Sequence, residues 1–329
     1  MAFEEHSITS ISEIPALVEA FATSVGWDVD TGPVVRHPDY EGGGPGGLAF
    51  TLSVSVVGLN HDLIWTNGAN SARIRSPILA TEASRAVGVA QSPTKVSMIS
   101  MLTPQPYLAI VVEYGTNLYR HLYLGFMEKI GDYAGGEVVS GCGGIDTTYN
   151  GSQFWWRPFS NAFLFGASQT IRSKAQSGGV HVDHLDNATA WRSFRLAGAD
   201  PSSNFDTTTF DGSEAIGGYS DNIYDLYVAK GKSSIAGASL LVPVNLMISQ
   251  KPTGSLTRLV PIGHPAGVRM INLENLDSAT MITIGGETWR VFAATRRSAE
   301  TVMNRPGGTG TRYRLAESSH YLGYAYRSA

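Results

Sequence analysis

Three metal-ligating side chains crowd into His181-Val182-Asp183-His184, and in an extended backbone His181 and Asp183 project to one side. A zinc site draws a third or fourth ligand from elsewhere, and this short run alone carries no recognised ligand spacing. The stretch therefore reads as surface loop, with no metal. Cys142 is the only cysteine, so an intrachain disulfide is excluded. As a nucleophile it would need a base such as His121, and its setting, Gly141-Cys142-Gly143-Gly144, reads as a turn. Asp132 and Glu137 are carboxylates of the type that flank a glycosidic bond, where their separation in space decides the mechanism. Lys230-Gly231-Lys232-Ser233 has the end of a phosphate-binding loop, but Leu226 stands where the first glycine of that loop belongs, which leaves a solvated turn. Pro306-Gly307-Gly308-Thr309-Gly310 lacks the strand-then-helix setting of a dinucleotide fingerprint, and neither G-x-S-x-G nor H-E-x-x-H occurs. The expectation is a non-enzyme with no catalytic residue, no cofactor and no metal.

Residues suited to binding are more prominent. Phe154-Trp155-Trp156-Arg157-Pro158-Phe159 packs aromatic side chains into one run. Such residues stack on sugar faces, anchor protein interfaces or fill a core. Arginine pairs recur at Arg73 and Arg75, Arg296 and Arg297, and Arg312 and Arg314. Their planar guanidinium groups suit bidentate pairing with acidic groups on a neighbour. The interface residues expected from these patterns are Trp155, Trp156, Arg157, Phe159, Tyr133, Arg296, Arg297 and Arg312.

The elements that would position them are mostly strands. Ser10 or Ser12 is a suitable N-cap with Glu13 behind it and Pro15 in the first turn, and Ile14, Leu17, Val18 and Phe21 form one stripe, so a helix is expected from Ser10 to Gly26. Trp27 would anchor its end onto a sheet. Leu48 to Val57 alternates cleanly as a strand, followed by His61 to Trp65, Val96 to Leu102, Tyr107 to Tyr114 and Tyr119 to Phe126, the order of an antiparallel meander. The last of these reads as half-buried and running into a loop. Pro77 to Val87 reads as a short helix. After a polar stretch, Leu240 to Ile248 resumes the core, and strands follow near Thr257 to Ile262, Val268 to Ile271, Met281 to Ile284 and Thr288 to Ala293. Gly285-Gly286 suits a hairpin turn, and Arg312 to Arg327 supplies one or two closing strands.

The chain has 329 residues, 43% hydrophobic and 16% charged, with 37 glycines and a formal net charge of −4. The charged share lies well below the usual quarter, which weakens the ordinary defence against association. Lys and Arg form no basic block, so no direct nucleic-acid contact is expected. No apolar run approaches the ~20 residues that would cross a membrane, and residues 1 to 12 carry no signal-peptide pattern. The expected organisation is a helix and β core over residues 1–167, a polar insertion or arm over 168–234, and strands over 235–329 that complete the core. The fold class is mainly β (α+β), an antiparallel sheet or β-sandwich with an N-terminal helix and a large irregular insertion.

Three stretches carry a resemblance. Gly131-Asp132-Tyr133-Ala134-Gly135-Gly136-Glu137, with the strand before it, is similar to a strand, G-x-Y-x-G-G, strand pattern of minor virion structural proteins of tailed bacteriophages. Ile8 to Asp30, with its Gly26-Trp27, resembles their opening, and Glu287 to Phe292 with Gly323-Tyr324-Ala325-Tyr326-Arg327 resembles their closing strands. The resemblance implies a virion protein made in the host cytoplasm and built in multiple copies into the neck, tail or baseplate. Its partners would be other copies of itself in a head-to-tail ring and neighbouring phage structural proteins, with no membrane insertion. The alternative is a carbohydrate- or receptor-binding module of the same particle, with a glycan as the aromatic run's partner.

Overall fold

The computed structural model describes residues 2–30, 34–36, 48–55, 58–67, 70–75, 79–80, 92–114, 118–132, 138–142, 179–182, 192–194, 241–250, 258–273, 276–294, 302–304, 312–314 and 322–329. In chain order the elements are β1 (Ala2–Ser7), a 3-10 turn (Ile11–Glu13), α1 (Ile14–Ser24), β2 (Asp28–Asp30), β3 (Val34–Arg36), β4 (Leu48–Ser55), β5 (Gly58–Asn67), β6 (Asn70–Arg75), β7 (Leu79–Ala80), β8 (Pro93–Met101), β9 (Tyr107–Tyr114) and β10 (Leu118–Lys129). There follow β11 (Val138–Cys142), β12 (Gly179–Val182), β13 (Arg192–Phe194), β14 (Val242–Pro243), β15 (Leu246–Gln250), β16 (Arg258–Pro265), β17 (Val268–Asn272), β18 (Thr280–Ile284), β19 (Glu287–Ala293), β20 (Val302–Asn304), β21 (Arg312–Arg314) and β22 (Leu322–Arg327). The protein is mainly β, and every described strand pairing is antiparallel.

The helix forms where its sequence signals stand. The Ser10 hydroxyl accepts from the Ser12 N–H at 3.2 Å, and Glu13 Oε1 accepts from the Ser10 N–H at 2.8 Å, a reciprocal capping box. Pro15 occupies the first turn, where a missing N–H costs nothing. Ile14, Val18, Phe21 and Ala22 are the buried stripe. Gly26, at φ +94°, turns the chain out of the helix in a conformation that side chains resist. Trp27 then docks on the sheet: its Nε1–H donates to Ser100 Oγ at 2.8 Å, and that hydroxyl donates to the Tyr107 carbonyl at 3.0 Å.

The central sheet runs β1-β8-β9-β10-β11-β12-β13, with β16 also joined to β10 and β15 to β16. Its strands β8, β9 and β10 are buried on both faces. Val96, Met98, Leu108, Ile110, Val112, Leu122 and Leu124 pack against α1 and Trp27. The alternate residues Ile99, Met101, Tyr107, Ala109, Val111, Tyr119 and Tyr123 pack towards a second sheet of order β14-β17-β22-β19-β18. This is a sandwich with the helix laid on one side. It corrects the half-buried reading of Tyr119 to Phe126: the alternation there separates two apolar cores rather than core from solvent, and every residue from Tyr119 to Met127 is buried.

β10 is long enough to hold two neighbours in succession along one edge. Leu122–Phe126 pair with β11, and Met127–Lys129 pair with β16. From β16 the chain crosses into the second sheet through Ala266 and Gly267. Gly267 has φ +62°, and a Cβ there would lie 2.2 Å from Tyr107 Cε1, so both backbone angle and packing require glycine.

Of the meander expected from Leu48 to Phe126, the part from Val96 onward is present as β8, β9 and β10. β4 and β5 belong instead to a separate sheet of order β2-β3-β4-β5-β6, with β7 paired to β5. Leu79–Ala80, inside the stretch read as a short helix, is strand β7, held by its pairing with Gly58 and Leu59. Cys142, read as part of a turn, ends strand β11 opposite Leu122. β12 and β13 fall within the expected insertion and extend the central sheet beyond β11. The remaining residues of 168–234 lie outside the described residues. Gly285 and Gly286, both at positive φ, close the two-residue hairpin between β18 and β19 as expected.

Candidate functional site

The polar groups between the two sheets form a bonded seam. His121, on β10, is fully buried. Its Nε2 lies 2.8 Å from the Ala293 carbonyl, which only accepts, so Nε2 carries the hydrogen. Nδ1 is left to accept from the Tyr326 hydroxyl at 2.8 Å. Burial pushes the His121 pKa down to about 3, assisted by the neighbouring Arg120 charge and opposed by the Ala293 bond. The imidazole is therefore neutral, with both nitrogens engaged. Tyr324 meets it edge-on at 5.3 Å between ring centroids, and Tyr326 stacks at 5.9 Å. Beside it Tyr107 and Tyr123 stack at 5.6 Å. The Tyr107 hydroxyl donates to the Arg327 carbonyl, and that of Tyr123 to the Ala266 carbonyl at 2.8 Å. Chemically this arrangement ties β10 to β22 and to the crossover. His121 has no ring nitrogen left to serve Cys142 as a base.

A second cluster lies where β16 leaves the central sheet. His264 and Glu128 stand opposite each other in register, with His264 Nε2 2.6 Å from Glu128 Oε2. Arg269 approaches the same carboxylate at 3.5 Å and lies over the Trp289 ring, 5.7 Å from its centroid. The His264 hydrogen bond, followed by the Arg269 charge, holds the Glu128 carboxyl below the usual range against the opposing effect of burial. These side chains fasten the crossover to both sheets.

The described surface has a different feature at the far edge of the second sheet. β18 reads Thr280-Met281-Ile282-Thr283-Ile284 and pairs among the described strands with β19 alone. Ile282 packs partly against the core. Met281 and Ile284 are 55% and 45% exposed. Together with Ile130 they are the large exposed apolar residues among the described ones. The strand carries no charge and no proline, the two devices that ordinarily blunt an edge. Its backbone and apolar side chains offer a template for another strand.

Of the residues expected to form an interface, Trp155, Trp156, Arg157, Phe159, Tyr133, Arg296 and Arg297 lie outside the described residues. Arg312 opens β21, opposite Asn304. His181 lies in β12 opposite Ser140, while Asp183 and His184 are outside the described residues. Among the described residues no group of three or more His, Cys, Asp or Glu is placed to hold a metal, and no helix is long and apolar enough to cross a membrane. The β18 edge was missed at the sequence level although its signal was present: alternation bounded by Gly285-Gly286, with no charged residue in the strand. No protein-family model matches the chain. Nor does any curated protein sequence match it.

Proposed function

We propose that this protein is a non-enzymatic structural subunit of a tailed-bacteriophage particle, built in multiple copies into the neck, tail or baseplate. The observation that carries the assembly part of this reading is the uncharged β18 edge, which presents Met281 and Ile284 to solvent on a chain of low charge. The sequence resemblance at Ile8 to Asp30, Gly131 to Glu137 and Gly323 to Arg327 supports the particle. The polar groups of buried His121, Tyr123 and Trp27 are committed to joining elements. Such a subunit contributes shape and binding faces, and its mechanism is assembly. Quantitative mass spectrometry of purified particles tests the reading. Several copies of the chain per particle are expected, and its absence from clean particles would overturn it.

A second reading rests on Phe154 to Phe159, whose aromatic density suits sugar stacking. In that reading the protein retains glycans on an array and releases them when Trp155 or Trp156 is replaced by alanine. An assembly subunit is indifferent to both.

A further inference from the structure

We infer that β18 is a two-fold pairing edge whose partner is the same strand of a second copy of this chain, an inference that rests on the assembly reading above. The described sheet edges differ in charge and regularity. Four edge strands have five residues or more: β1, β6, β15 and β18. β1 carries Glu4 and Glu5, and β6 carries Arg73 and Arg75, and charged residues on an edge strand blunt it as a pairing template. The pairing of β15 with β16 shifts register at Leu246/Met247, a bulge of the kind that turns an edge away from a partner. β18 has none of these features.

The geometry of the sheet then selects the partner. Continuing the five-stranded sheet head to tail would bring β18 of one copy to β14 of the next. β14 is two residues long, and one of them is Pro243, which has no N–H to donate. Pairing β18 with β18 meets no such obstacle. An antiparallel strand pair has a two-fold axis, which is the symmetry an isologous dimer requires. The pairing places Thr, Met and Ile side chains against one another with no like charges opposed, and it covers Met281 and Ile284. Glu287, at the hairpin's far side, is already paired with Arg327 at 3.1 Å. The result is one continuous sheet crossing the two copies.

The test uses the full chain. Sedimentation velocity over a concentration series should show the wild type passing from one to two chain masses, while amides of Thr280 to Ile284 gain hydrogen-exchange protection as concentration rises. Met281→Lys and Ile284→Lys, at positions exposed in the monomer and therefore compatible with its fold, should each weaken the dimer by about ten-fold or more, because each change enters twice across the two-fold axis. A wild type that stays monomeric throughout, or a dimer that neither lysine weakens, overturns the inference. Particles that contain the chain although it is monomeric in solution would sink the edge pairing alone. Absence from particles of a chain that still dimerises through β18 would sink the particle reading alone.

Discussion

His121 shows how one residue type can mislead and inform together. In the sequence it is a potential base for Cys142; in the fold it is a neutral imidazole joining Tyr326 to the Ala293 carbonyl. His121→Leu would leave two buried polar groups without partners, and we expect a loss of about 2–4 kcal/mol in denaturant unfolding. The pH dependence has a definite sign. The folded pKa of about 3 lies below the ordinary 6.5, so the unfolded chain binds the extra proton. Stability from this residue is present above pH 6.5 and lost as pH falls towards 3, at about 1.4 kcal/mol per pH unit within that window. His121→Leu should remove this slope, as read from urea midpoints between pH 4 and 7. Little of this was legible in the sequence, since an alternating strand gives no sign that both of its faces are buried. The eight residues expected at an interface stand out by type and clustering, and type cannot say which face a side chain takes.

At the scale of elements, legibility follows how local the determinants are. The helix was readable because Ser10, Glu13 and Pro15 at its start and Gly26 at its end each act on the turn beside them, and the β18–β19 hairpin because Gly285-Gly286 alone fixes the turn. β1 was not, since Glu4, Glu5 and His6 mask any apolar rhythm and the strand owes its place to pairing with β8. β7, β12 and β13 likewise exist through distant partners. The two kinds of glycine predict different costs. Gly285→Ala meets open space and only a disfavoured angle, so about 1 kcal/mol is expected. Gly267→Ala adds a collision with the buried Tyr107 ring, and about 3 kcal/mol is expected in the same thermal or denaturant assay. Glu128 governs the crossover's response to acid. Its folded pKa is depressed, so its contribution is present above the unfolded value near 4.5 and fades as pH falls through the folded one. Its partial exposure keeps the effect small through solvent screening. Glu128→Gln should make hydrogen-exchange protection of Met127 to Lys129 and of Gly263 to Arg269 less sensitive to acid between pH 5 and 3.

For the whole molecule, the last described strand is central rather than peripheral. β22 lies between β17 and β19, brings Tyr324 and Tyr326 onto His121, and receives the Tyr107 hydroxyl at Arg327. The second sheet therefore closes only when residues 322–327 are in place, and removal of residues 322–329 should abolish cooperative unfolding, read by circular dichroism on heating. Composition anticipated a β-rich, weakly charged protein, and the fold locates one consequence of that weak charge at β18. The claim that such a body serves as a repeated particle component is tested most directly by antibody-gold labelling of intact purified particles under negative-stain electron microscopy. Label gathered at the neck, along the tail or at the baseplate is the predicted result. Particles that remain unlabelled, under conditions where a known tail protein labels, would contradict it.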